Sequence, residues 1–204
     1  MNPTTVRAQL QRTGPLLLVL PVCTGTAVGL AGGFLPESWS DTQVATVTDW
    51  LIQFTVLCAG LCVVLAATGD PVVELHESTV TVFRTVQTIR TGAVLVSGVV
   101  GAVVAVLLMH SAGREEGTSM VGPVGAVIVA AAAGVVVAAF SRNTSAATIA
   151  AVSAWLGLSM LWDPYVLPLP LQRGIPVTGA ALALCAAWIR LGDAERNIAK
   201  VAAP

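Results

Sequence analysis

Apolar residues in this chain fall into long unbroken runs and do not alternate with polar ones. Six stretches are almost free of charge: about 15–35, 47–68, 91–109, 120–140, 146–162 and 175–191. A helix needs roughly 20 mostly apolar residues to cross the hydrocarbon core of a bilayer. Each run therefore predicts one spanning helix, the fifth being the shortest. The expected fold class is all-α: a single polytopic membrane domain over residues 1–204 with six transmembrane helices. Composition points the same way. Only 10% of residues are charged and 55% are hydrophobic, against about 25% charged in a soluble domain, and the mean hydropathy is +0.84. A net charge of -1 gives no electrostatic footprint for nucleic acid, so the expected surroundings are membrane lipid.

The first run could be mistaken for a cleaved signal. Arg7 and Arg12 precede it like an n-region, and "LPVC" at 20–23 faintly resembles a lipobox. Pro21 and Val22 are poor residues before such a cysteine, and the run continues to Leu35, beyond a usual h-region. A retained span is expected.

Basic residues set the orientation, because Lys and Arg are held on the cytoplasmic side. With the N-terminus inside, only Arg114 and Arg173 of the ten basic residues fall outside. Trp39, Trp50, Trp162 and Tyr165 then lie near the outer interface and Trp188 near the inner one, as aromatic belts prefer. Both termini are expected in the cytoplasm, with the chain multi-pass in the cell membrane. The outer loop "DPYVLPLPLQRG" at 163–174 carries three prolines. It is expected to form a rigid cap or a short re-entrant element, since proline cannot continue a helix from within.

The largest segment outside the spans is "GDPVVELHESTVTVFRTVQTIRTG" at 69–92, which faces the cytoplasm in this orientation. Its local pattern is helical. Asp70 can cap a first turn and Pro71 suits the first helical position. Glu74 and Glu77 lie early, where the helix dipole favours anions, and Arg84 and Arg90 lie late. Apolar residues recur at Val72, Leu75, Thr79, Phe83, Val86 and Ile89, in steps of three and four. Residues 79–82 are all β-branched, which weakens a helix, so a bend is expected there, with a second helix leading into the third span. Interfacial anchors are usually basic on their polar face. This one begins acidic, which favours docking of a protein over anionic lipid.

The pattern of "DPVVEL", then Ser78-Thr79, then spaced arginines, between spans two and three of six, resembles the ABC-2-type permeases of ABC transporters. It is most similar to actinobacterial members, whose Val/Ala-rich spans this chain shares. The resemblance implies a permease subunit, an exporter of something amphiphilic, driven by a separate ATP-binding cassette subunit. Residues 69–90 would be the coupling segment that enters a groove of that ATPase. Asp70, Glu74, Leu75, Glu77, Ser78, Arg84 and Arg90 would make or support the contact. Residues 1–13 are similar to the family's interfacial connecting helix. Many relatives carry a proline after the Ser-Thr pair, where this chain has Val80. Six spans would be half a pathway, so a second permease copy or a sibling permease is implied.

Other chemistry in the chain is sparse. No Gly-x-x-x-x-Gly-Lys-Ser/Thr loop exists, since Lys200 is the sole lysine and Val201 follows it. ATP and Mg are thus expected on the partner chain, and no catalytic, cofactor or metal residue in this one. Cys23, Cys58, Cys62 and Cys185 read as small apolar packers. His76 and His110 fall on opposite sides and cannot share a metal. Gly25, Gly29 and Gly33 form a Gly-x-x-x-Gly-x-x-x-Gly row on span one. Such a row lets another helix approach closely, within the subunit or across a subunit interface. No charge falls at mid-span, which argues against a secondary transporter coupled to protons or sodium. A non-transporting scaffold or regulator that docks a cytoplasmic protein is the other reading.

Overall fold

A computed structural model describes residues 13–36, 38–68, 83–113, 119–141, 143–166 and 168–191. Every regular element among them is helical. In chain order these are α1 (Pro15–Gly33), α2 (Asp41–Thr68), α3 (Phe83–Ser111), α4 (Val121–Ser141), α5 (Thr144–Leu156) and α6 (Leu169–Leu191). A π-helical turn, Gly157–Trp162, extends α5. Among the described residues six helices, with that turn counted into α5, are long and apolar enough to cross a membrane. A helix suits that setting because it satisfies its own backbone hydrogen bonds where no water can.

Local sequence explains where the helices begin. Ser40 and Gln43 form a reciprocal capping box: the Gln43 backbone N–H donates to Ser40 Oγ, and the Ser40 backbone N–H donates to Gln43 Oε1 at 3.1 Å. This cap starts α2 at Asp41, earlier than the apolar run that begins near 47. At the α4–α5 turn, Asn143 Oδ1 accepts from the backbone N–H groups of Ser145 and Ala146 at 2.9 and 3.2 Å. That cap lets two helices meet across a minimal loop.

The proline-rich stretch corrects an expectation. It is neither a cap nor a re-entrant element over its full length, because residues 169–174 are the opening turns of α6. Leu171 and Gln172 donate to Pro168 O at 2.9 Å each. Pro170 sits where the N–H groups of a helix have no internal partner anyway, so proline costs little there.

Helix directions alternate. Gly25 and Gly33 lie against Gly101 and Ala112, so α1 and α3 run parallel. Ala59 faces Gly98 and Ala67 meets Gln87, so α2 is antiparallel to α3; Gly60 faces Ala130 and Val64 faces Gly134, so α2 is parallel to α4. The bundle therefore has one end bearing Asp163 and Arg173 and another bearing Arg84. α4 packs against α2, α3, α5 and α6, whereas α3 and α6 scarcely meet. Val56, Val63, Val64, Val94, Val127 and Met109 are fully buried between these helices. Leu161, Leu182 and Ile189 on α5 and α6 are more than two-thirds exposed, an apolar outer face of the kind lipid covers.

The tightest crossing is α1 on α3. A Cβ on Gly25 would run into Gly101 O, and one on Gly101 into Pro21 O. Both obstacles are backbone, so no side-chain rotation relieves them. Gly29 meets Ala105 O, and Gly32 meets the Met109 side chain. Gly33 is only half-buried, with Ala112 Cβ 3.1 Å from where its own would stand. The row from Gly25 thus packs within one chain and closes on Gly32 as well as Gly33. Pro21 removes one backbone donor from α1, and the Ser97 hydroxyl donates to the Leu18 carbonyl alongside.

Gly101→Val is expected to destabilise the bundle by about 3 kcal/mol or more, since overpacking at a backbone contact cannot relax. Gly179→Ala, where an added Cβ meets nothing within 4 Å, is the matched control. Thermal unfolding in detergent should show a large loss for the first variant and none for the second.

Candidate functional site

Polar side chains gather at the two ends of the bundle. At the Arg173 end, opposite charges from the α5–α6 connection and the first turns of α6 meet. Arg173 Nη1 and Nη2 donate to Asp163 Oδ1 and Oδ2 at 2.5 and 2.7 Å, and Nε donates to Gly122 O at 2.9 Å. The arginine is 7% exposed. Its stem fits only because α4 has a glycine beneath it: a Cβ on Gly125 would lie 2.9 Å from Arg173 Cδ. Gln172 Nε2 donates to Asp163 O at 3.2 Å and Trp162 Nε1 to Gln172 O at 2.8 Å, which locks the loop. A planar guanidinium on a carboxylate through two parallel bonds is the strong form of such a pair.

Next to this pair, Trp155 Nε1 of α5 donates to Gln53 Oε1 of α2 at 2.8 Å. The ion pair, Gln172 and Gln53 wall a cavity of about 220 Å³. Asp49, Gln53, Ser119, Asp163, Gln172 and Arg173 supply its polar lining, and Ile52, Val56 and Ala126 its apolar part.

The Arg84 end is different. A second cavity, also of about 220 Å³, lies between α3, α4 and α6 with Val63 of α2 behind it. Its lining is almost wholly apolar, including Leu95, Ala131, Val135, Leu184 and Leu191. Trp188 of α6 lines it, and the Arg84 guanidinium carbon sits 4.7 Å from the centroid of that indole. Beside it the Gln87 side-chain amide donates to the Ala67 carbonyl, tying the start of α3 to the last turn of α2.

The residues singled out in the sequence distribute unevenly. Asp70, Glu74, Leu75, Glu77 and Ser78 lie outside the described residues, as do the 79–82 bend and residues 1–12 of the expected interfacial helix. Arg84 and Arg90 lie in the opening turns of α3, which runs without interruption into the third span. Arg90 is 6% exposed, so it supports this end from inside the bundle. Gly25 and Gly29 pack on α3. His110 is exposed in the last turn of α3. All four cysteines are free thiols, and Thr24 Oγ1 lies 3.4 Å from Cys58 Sγ. No group of three metal-ligating side chains occurs among the described residues.

Sequence reasoning missed the Asp163–Arg173 pair and the Gln53–Trp155 bond. The first had a signal in opposite charges bracketing a stretch too proline-rich to wander. The second had one in Gln53, an amide set inside an apolar run.

Comparison with protein-family models, with curated proteins and with solved structures finds no match. What fold and composition define is a class: a multi-pass membrane protein, helical throughout its regular elements and with six apolar helices among the described residues.

Breaking a buried ion pair by removing one partner costs about 3–5 kcal/mol, because the other charge is left buried. Asp163→Ala and Arg173→Ala should each destabilise on that order. The double variant should fall short of their sum by at least about 1 kcal/mol, as for any pair in direct contact. Unfolding of the four proteins in the same detergent gives the coupling; additive losses would mean that the pair does not hold this end together.

Proposed function

We propose that this chain is the membrane permease subunit of an ABC-2-type transporter, working as an exporter and powered by a separate ATP-binding cassette subunit docked on residues 69–90. The reading rests on the resemblance in that segment, on the six-helix bundle and on one structural observation. α3 is a single helix from Phe83 to Ser111, so it joins the docking segment directly to a full span. A push on the segment would move α3 as a rod, and Gln87 and Arg84 would pass that motion to α2 and α6.

In the orientation that goes with this reading, the Arg84 end is cytoplasmic and the Arg173 end faces out. Trp39, Trp50 and Tyr165, all exposed near the Arg173 end, then sit at the outer headgroups, where amphipathic rings prefer to lie. ATP and Mg belong to the partner. A second copy or a sibling permease would complete the pathway.

Orientation can be read by thiol labelling in a chain whose four cysteines are replaced by alanine. A cysteine at Ser119 should react with an impermeant maleimide in intact cells, and one at Ser141 only after permeabilisation. The reverse pattern would overturn the topology. Docking is tested by co-purification from the native host. An ATPase carrying a P-loop should be retained by the wild type and lost on Glu74→Lys/Glu77→Lys. A retained partner without nucleotide-binding motifs would instead identify a scaffold.

A further inference from the structure

The apolar cavity at the Arg84 end has features that helix packing does not require. α3 and α6 scarcely touch, and small residues line the gap where larger ones would close it. Gly92, Ala131, Ala132 and Ala187 are among them, and a Cβ added at Gly92 would meet nothing within 4 Å. Two helices in lipid gain by close packing, so a gap kept open by small side chains is a space for something else. At about 220 Å³ it is below the ~300–1,000 Å³ of a site for a drug-sized ligand, which suits one hydrocarbon chain and not two.

A cation stands beside this space. Arg84 lies one turn before Gln87 and Thr88, both of which line the cavity. Its guanidinium carbon lies over the Trp188 ring, and a guanidinium carries five N–H donors, more than one ring contact occupies. Among the described residues Arg84 makes no ion pair, and its Nε has no acceptor. An apolar slot with a cation at one end is complementary to a molecule with a hydrocarbon tail and an anionic head.

We infer that the space between α3 and α6 binds a single-chain anionic amphiphile of the fatty-acid type, its tail between Gly92, Ala132 and Leu184 and its carboxylate on the edge of the Arg84 guanidinium. Binding here does not depend on the permease reading and would hold equally for a non-transporting subunit.

The test uses the full-length protein in neutral detergent with 11-bromoundecanoate, whose bromine quenches tryptophan, and 11-bromoundecanol as its uncharged counterpart. Quenching by the acid should saturate. Arg84→Gln should weaken the acid by about tenfold, the scale of one lost contact to a charged group, and leave the alcohol unchanged. Gly92→Leu fills the slot without a backbone clash and should remove saturable quenching by both, while its unfolding temperature stays at or above that of the wild type. Quenching that never saturates, or that survives Gly92→Leu, would mean partition into the micelle and overturn the site. Equal loss of acid and alcohol in Arg84→Gln would overturn the headgroup assignment. A two-chain phospholipid retained in native mass spectra and not displaced by the acid would assign the slot to a structural lipid instead.

Discussion

Helices inside a bilayer are not driven together by water, because lipid tails are as apolar as leucine. What holds them is close contact, and close contact requires small residues at the crossings. In this bundle that requirement is met at three places: Gly25 and Gly101 between α1 and α3, Gly98 and Ala59 between α3 and α2, and Gly134 and Val64 between α4 and α2. Each brings a helix backbone within reach of its neighbour and so sets where the longer side chains interdigitate. Met109, Val56 and Val127 are buried completely because the backbones around them are fixed first. α1 shows the dependence best. It has no ion pair to anchor it among the described residues. Its tightest hold is the glycine row against α3 with the Ser97–Leu18 bond, and α2 packs beside it through Val28 on Ile52 and Thr24 near Cys58.

Polar groups obey a second constraint. A charge in a low-dielectric region must be paired or brought to the rim, and here it is both. Asp163 and Arg173 neutralise each other, Gly122 O accepts from Arg173 Nε, and Gln172 donates to the Asp163 backbone carbonyl alongside. Arg84 lies against an indole at the other end, a contact worth about 0.5–2 kcal/mol by its degree of desolvation. Between the two ends the described helices present an apolar middle, with Thr55 buried inside it. The Thr55 hydroxyl has no side-chain partner in the described structure.

Helix number and approximate limits were legible because a run of some 20 apolar residues has few other physical meanings. The limits that shifted did so where polar residues continue a helix past the lipid. Ser40 and Gln43 cap α2 early, and residues 83–90 and 169–174 are helical despite their charges and prolines. Hydropathy reports the solvent around a segment, and a helix that emerges from the membrane changes solvent without changing conformation. The close approach at Gly25 was also legible from its spacing, but the identity of the partner helix was not. The Asp163–Arg173 pair depends on α6 beginning at Leu169, and a loop reading of 163–174 hides it. Gln53 and Trp155 are 102 residues apart, a pairing that only the packed bundle creates.

The two cavities bear on how such a bundle could move. They lie at opposite ends, and the layer between them includes Val56, Ala59, Val127 and Ala130, which pack as one cluster. α2 and α4 carry that layer and line both cavities, while α3 reaches only the Arg84 cavity and α5 meets neither. α6 touches both, through Arg173 at one end and Trp188 at the other. A tilt of α6 against α4 that opened the gap beside Trp188 would therefore press on the Arg173 end. There the bidentate ion pair resists displacement in a way that apolar contacts do not, since two parallel charge-assisted bonds tolerate little change in angle. In such a tilt Arg173, held to the α5–α6 connection by Asp163 and to α4 by Gly122 O, would be the more firmly fixed end of α6, and the cation–π contact at Arg84 the weaker one.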